Sequence, residues 1–179
     1  KAAFLDRDGV INYDRGYVSR WDDFEFIPGV FEALKRLSDD GYLIIIITNQ
    51  SGIARGYYTT DDYDKLTSQY ITRLRFQGIE VAKVFHCPHY KYGSVPEFSY
   101  DCDCRKPQPG MIKKGELEFN LDLQQSVLFG DKMSDISAGN AAGVGKMFLV
   151  SPKRNYDCNS RKNFGRYANL LACVDSMLL

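Results

Sequence analysis

The sequence predicts an α/β fold with a Rossmann-like, mostly parallel sheet and helices on both faces. Three observations carry this. Short apolar runs alternate with helix-period segments over most of the chain. Residues 42–47 are apolar throughout, as a strand buried on both faces requires. Asp6, Thr48 and Asp131 each follow a predicted strand directly, and ligands of parallel sheets bind beyond the carboxyl ends of the strands.

The elements follow in order. Residues 2–5 form a short apolar strand. Pro28-Gly29 opens a helix with Val30, Leu34 and Leu37 on one face, and Gly41 stops it. The strand at 42–47 is rich in isoleucine. Thr59 or Thr60 with Asp61 and Asp62 starts the next helix, where acidic groups suit the positive end of the dipole, and Gly78 ends it. Its inner stripe is Tyr63, Leu66, Tyr70 and Leu74. A strand at 81–85 leads into a cysteine-rich loop. Pro109 starts a helix over 111–119, a strand runs over 126–129, a short helix over about 134–142, and the last clear strand over 146–150. Nothing resembles a linker, which predicts a single domain over 1–179; the segment 151–179 carries the weakest signals.

At 179 residues, with 44% hydrophobic and 26% charged residues, the composition is that of a soluble globular domain. Lys plus Arg and Asp plus Glu are 23 each, so no broad field draws the chain to nucleic acid or membrane, and a small-molecule partner is expected. No apolar run reaches membrane-spanning length. No basic-then-apolar leader is visible, which predicts no secretory signal, and a strand beginning at the second residue suggests that a few residues precede it in the natural chain.

The chemistry-bearing residues start with Asp6-Arg7-Asp8-Gly9. Alone, an Asp-x-Asp turn reads equally as a solvated acidic loop. Asp131 and Asp135 change the balance, because four carboxylates gathered at one sheet edge repel unless a cation sits among them. Hard oxygen donors without a histidine point to magnesium. Thr48-Asn49-Gln50-Ser51-Gly52 could form an anion nest, and Arg105-Lys106-Pro107 places two cations before a helix start. Each is unremarkable alone. Together they supply a nucleophile, a metal, a hydroxyl and a cation, as phosphoryl transfer requires.

Five cysteines, an odd number, argue against a disulfide framework and for a reducing compartment, hence the cytosol. Cys87, His89, Cys102 and Cys104 offer three thiolates and an imidazole, a closed tetrahedral set for structural zinc, with buried thiols beside an incidental histidine as the alternative. Cys158 and Cys173 read as partly buried thiols and His86 as an ordinary strand-end residue.

In order, Phe4 to Ile11, Thr48 to Gly52, Arg105 to Pro107 and Gly130 to Asp135 resemble the four motifs of the haloacid dehalogenase superfamily. The resemblance implies a two-step hydrolysis, with Asp6 as nucleophile and Asp8 as general acid and base. Thr48 and Lys106 would act on the phosphoryl oxygens, and magnesium would be held by Asp6, the Asp8 backbone carbonyl and Asp131. Asp135 would orient Lys132 or a metal-bound water. The zinc loop, about 86–106, resembles that of the heptose-bisphosphate phosphatases of lipopolysaccharide biosynthesis. The related histidinol-phosphate phosphatases are the runner-up, and a catalytically dead zinc-stabilised binding module is the alternative from another class. By that likeness Asp14, Arg15, Gly16, Tyr17, Thr48, Asn49, Gln50, Ser51, Arg55, Arg105, Lys106 and Lys132 line the substrate site. Arg15, Arg55 and Arg105 would take a second phosphate. With one loop and one helix between residues 9 and 47, a capless monomer is expected, and the likeness fades after about Val150.

Overall fold

The computed structural model of the chain describes residues 1–151 and 164–178. Six parallel strands form one sheet: β1 (Ala2–Leu5), β2 (Leu43–Asn49), β3 (Val81–Cys87), β4 (Val127–Gly130), β5 (Lys146–Val150) and β6 (Phe164–Tyr167). Their spatial order is β3-β2-β1-β4-β5-β6. The chain winds outward from β1 in one direction, then crosses back to β4 on its other side. The crevice at that reversal, above the ends of β1, β2 and β4, is where a ligand site belongs in such a sheet.

Successive strand residues face opposite sides, and the core divides accordingly. Ala3, Leu5, Ile44, Ile46, Val127 and Phe129 pack on one face against α1 (Val30–Asp39), α2 (Thr60–Phe76) and α5 (Leu170–Leu178). Ala2, Phe4, Ile45, Ile47 and Leu128 pack on the other against α3 (Gly110–Phe119) and α4 (Met133–Ala142). Ile44 to Ile47 are at most 1% exposed, and burying each stabilises the fold by about 1.5–3 kcal/mol relative to exposure. The expected capping of α2 is present as a full box, with the Thr59 side chain accepting from the Asp62 N–H and the Asp62 carboxylate accepting from the Thr59 N–H.

Three features differ from the sequence reading. The strand β3 runs on to Cys87, because β2 continues to Asn49 and pairs with it there. The segment after Val150 contributes β6, paired with β5, and α5, packed beside α1. Cys173 on α5 is fully buried rather than partly buried, while Cys158 lies outside the described residues. Between Gly9 and Tyr42 the chain builds loops, a short 3-10 turn at Trp21–Asp23 and α1, leaving the crevice open.

Candidate active site

Parallel pairing fixes the convergence of the site. Leu5 is in register with Ile46 and with Phe129, so the next residues of β1, β2 and β4 emerge at the same edge. The Asp6 N–H donates to the Phe129 carbonyl at 2.9 Å, carrying the pairing one residue beyond β1. Asp6, Asp131 and Asp135 each bring a carboxylate oxygen to within 4.8 Å of the others. At Gly9 the backbone turns with φ +83°, and a Cβ there would lie 2.5 Å from Asp131 Oδ2. Only glycine lets the loop after Asp8 pass so close to the acid.

Lys106 is the counter-charge. Its ammonium is buried, 3.1 Å from Asp6 Oδ1 and 2.7 Å from Asp135 Oδ1, and it donates to the Ile47 carbonyl at 2.8 Å. Burial acts to lower its pKa, but Asp6 and Asp135 outweigh it and the net direction is up. Asp135 also accepts the Lys132 N–H at 3.0 Å, starting α4. It therefore ties together the cation and the helix start.

One buried ammonium does not balance three carboxylates. Burial raises Asp6 to about 7, with Asp135, Asp131 and Asp8 adding to the rise and Lys106 opposing it. Burial likewise raises Asp131 to about 6, against the pull of the exposed Lys132. Asp131 Oδ1 is buried without a hydrogen-bond partner among the described residues. An orphaned carboxylate oxygen facing two further acids suits a small hard cation.

The linkage has a definite sign. Both folded pKa values lie above the ordinary 3.8, so between about pH 4 and 7 the folded state holds more protons than the unfolded chain and stability falls as pH rises. A divalent cation binding the ionised cluster offsets this. The melting temperature without magnesium should fall from pH 5 to 7.5, and added magnesium should raise it more at pH 7.5 than at pH 5. A magnesium effect equal at both values would contradict the clustering of charge.

Asp8 faces the same cavity and is held by donors from three residues. Arg7 Nη2 reaches its two oxygens at 3.0 and 2.9 Å, Asn12 Nδ2 donates at 2.9 Å, and Gln50 Nε2 at 3.1 Å. Arg7 is 1% exposed and also donates to the Val18 carbonyl at 2.7 Å. A charged residue between two acids reads as surface in a sequence. Here the turn folds it beneath the loop, and its role, with those of Asn12 and Tyr58, was not legible. The nearest signal is the short spacing from Asp8 to Asn12, which a closed turn requires.

The cavity measures about 550 Å³. Of the expected substrate residues, Asp14, Gly16 and Tyr17 form one wall, Asn49, Gln50 and Ser51 another, and Arg105, Lys106 and Lys132 supply its cations. Thr48 is buried beneath Gln50, whose Nε2 donates to its hydroxyl at 2.8 Å. Arg15 and Arg55 are not part of the wall. Arg15 is drawn off by Glu25 across the loop. Arg55 lies 3.9 Å above the Tyr90 ring centroid, a cation–π contact that holds it on the rim. Lys132 is paired with Asp14 at 3.0 Å.

The second cluster lies where β3 meets the loop before α3. Cys104 Sγ is 3.1 Å from Cys87 Sγ and 3.3 Å from Cys102 Sγ, and His89 Nδ1 is 3.3 Å from Cys104 Sγ. Four donors around a tetrahedral zinc at about 2.3 Å stand about 3.8 Å apart, so the four groups are gathered slightly tighter than a loaded site and in the same arrangement. His89 Nε2 is held by the Tyr100 hydroxyl at 2.6 Å, which leaves Nδ1 facing the sulfurs. The Cys87 thiol's hydrogen bond lowers Cys104 to about 5. These residues could hold a soft metal ion. Arg105 Nη1 then donates to the His89 carbonyl at 3.2 Å, tying the cluster to the cavity wall.

Comparison with known proteins agrees with this geometry. The family model described as polynucleotide kinase 3 phosphatase matches residues 2–168. A D-glycero-alpha-D-manno-heptose-1,7-bisphosphate 7-phosphatase of Photorhabdus laumondii is 51% identical over 150 residues, 84% of this chain and 82% of the relative. A D-glycero-beta-D-manno-heptose-1,7-bisphosphate 7-phosphatase of Escherichia coli K12 is 44% identical over 149 residues, covering 83% of this chain and 78% of the relative. The crystal structure of the D,D-heptose 1,7-bisphosphate phosphatase of B. bronchiseptica, complexed with magnesium and phosphate, superposes with a TM-score of 0.83 at 28% identity, covering 99% of this chain and 98% of that one. The four motifs, the sheet that brings them together and these relatives show that the chain belongs to the polynucleotide kinase 3 phosphatase family of haloacid dehalogenase-type phosphatases, in the branch that holds the heptose-bisphosphate phosphatases.

Proposed function

We propose that the chain hydrolyses the 7-phosphate of D-glycero-D-manno-heptose 1,7-bisphosphate through an aspartyl-phosphate on Asp6, in the cytoplasmic supply of activated heptose for lipopolysaccharide. The observation that carries this is the buried Asp6–Lys106–Asp135 cluster beside Asp131, whose oxygen lacks a partner, opening on a cavity that also presents Asp8. The Asp6 carboxylate attacks phosphorus as the bond to the sugar oxygen breaks, and Asp8 gives that oxygen its proton. Asp8 then takes a proton from a water that attacks the acyl phosphate, releasing inorganic phosphate and restoring Asp6. Lys106 and the Thr48 hydroxyl stabilise the transferring oxygens.

Asp6, the Asp8 carbonyl and Asp131 would hold magnesium, which supplies charge neutralisation between an anionic nucleophile and an anionic ester. Cys87, His89, Cys102 and Cys104 would hold structural zinc, with no position left open for catalysis. The chain acts as one catalytic unit over 1–179 and as a monomer.

The cavity volume suits a sugar phosphate, and Arg105 and Lys132 at its wall are the cations available to a second phosphate. With 23 basic and 23 acidic residues the chain lacks the positive field that a nucleic-acid-end phosphatase uses. No helix among the described residues is long and apolar enough to cross a membrane.

A substrate panel with magnesium tests the reading: both anomers of the heptose bisphosphate, histidinol phosphate and a 3′-phosphorylated oligonucleotide, compared by kcat/KM. The heptose esters should lead by at least about 10², the scale set by losing paired cation–phosphate contacts. A lead for histidinol phosphate or the oligonucleotide would reassign the substrate while sparing the chemistry.

A further inference from the structure

We infer that Tyr58 is a positioning residue for this hydrolysis: its hydroxyl fixes the Gln50 side-chain amide, which in turn aims the acid–base group Asp8. The inference rests on the phosphatase reading above. Gln50 Nε2 has two protons, and both are used, one on Asp8 Oδ2 at 3.1 Å and one on Thr48 Oγ1 at 2.8 Å. Among the described residues the amide oxygen is left with a single partner, the Tyr58 hydroxyl at 2.6 Å. Turned end for end, the amide would set its oxygen against the Asp8 carboxylate. The Tyr58 proton therefore favours the working orientation, and burial pushes this phenol well above its ordinary range, so it stays a donor.

The ring itself is not free to move. A Cβ at Gly52 would lie 2.1 Å from the Tyr58 ring, so glycine is what lets the ring lie against the loop. Ile53 and Tyr63 enclose it in a small separate apolar cluster. The Tyr57 N–H closes the turn on the Gly52 carbonyl at 2.9 Å. With the ring held by packing, the hydroxyl's one hydrogen bond among the described residues goes to Gln50, an arrangement that serves direction rather than stability. Thr48, relieved of one lone pair by Gln50, keeps its own proton for a phosphoryl oxygen.

A leaving-group comparison separates this role from a structural one. In the first half-reaction the Asp6 oxygen–phosphorus bond forms, the ester bond breaks and the Asp8 proton goes to the leaving oxygen. A sugar alkoxide needs that proton; p-nitrophenolate leaves without it. Since kcat/KM reports steps up to that departure, Tyr58→Phe should lower the ratio of kcat/KM for the best sugar phosphate to that for p-nitrophenyl phosphate by about 10-fold, a fraction of the roughly 10²–10⁴ a placed acid–base group supplies. Any loss through Thr48 affects both substrates and cancels in the ratio.

In a Gln50→Met background the same change should add nothing, because Tyr58 acts through Gln50. An unchanged ratio, or additive losses, would overturn the inference. Should Tyr58→Phe fail to fold, Gln50→Met alone decides: a lowered ratio supports the inference, an unchanged one overturns it. Wild-type protein releasing phosphate from neither ester would instead bring down the phosphatase reading itself.

Discussion

Replacing Asp6 by asparagine should lower magnesium-dependent phosphate release by about 10⁴-fold or more, the scale on which an enzyme loses its nucleophile, while leaving the chain folded. The two halves of this expectation have separate grounds. Asparagine keeps the size of aspartate but cannot form the acyl phosphate. The fold, in turn, loses little. Lys106 loses one of its two carboxylate partners, yet Asp135 remains 2.7 Å away and the Ile47 carbonyl 2.8 Å away, so the buried ammonium stays paired. In exchange, a carboxylate raised to about 7 by burial disappears from a crowded cluster. At pH 7.5 and without magnesium, the melting temperature of Asp6→Asn should therefore match or exceed that of the wild type. Equal phosphate release from both proteins would remove Asp6 from the mechanism. Release lost only because the variant unfolds would show that Asp6 serves the fold and not the reaction.

Much of this site was legible because strand ends are legible. Asp6, Thr48 and Asp131 follow apolar runs whose parallel pairing leaves them no destination but one edge. The gathering of Cys87, His89, Cys102 and Cys104 was legible for a similar reason, since thiols and an imidazole at short spacing have few other uses. What stayed hidden depends on contacts that pattern does not encode. Arg7 looks solvated between two acids, yet the loop closes over it, and Asp8 and the Val18 carbonyl accept from its Nε and Nη2. Arg15 and Arg55 look unpartnered in the sequence, while the fold sets Arg15 beside Glu25 and Arg55 over the Tyr90 ring. Phe164–Tyr167 is too short and mixed to announce a strand, and it becomes one only because β5 offers an unpaired edge. The neighbouring α5 packs on α1, a contact between segments far apart in sequence.

Cys102→Ser should empty the soft-metal site and lower the melting temperature, and it should raise KM more than it lowers kcat. Cys102 is the least buried of the three clustered thiols, so replacing it disturbs the apolar core least while breaking the four-donor set. A metal bound at about 10³ times its dissociation constant stabilises by about 4 kcal/mol, and for a chain of this size each kcal/mol is worth about 2–4 °C. The melting temperature should then fall by about 8–16 °C, with zinc content by elemental analysis dropping towards none per chain. The kinetic split follows from how the two neighbouring cations are held. Arg105 leans on the cluster through the His89 carbonyl and should drift from the cavity wall once the loop loosens, weakening substrate binding. Lys106 is clasped separately: its N–H donates to Asn49 Oδ1 and its carbonyl accepts from Asn49 Nδ2, both at 3.0 Å, while its ammonium reaches the Ile47 carbonyl. Lys106, proposed to act on the reacting phosphoryl, thus remains in place below the melting temperature. A variant that keeps both its metal and its melting temperature would show that the four side chains do not form a closed site. A loss confined to kcat would show that the cluster holds Lys106 after all, and that the Asn49 clasp is too weak to do so alone.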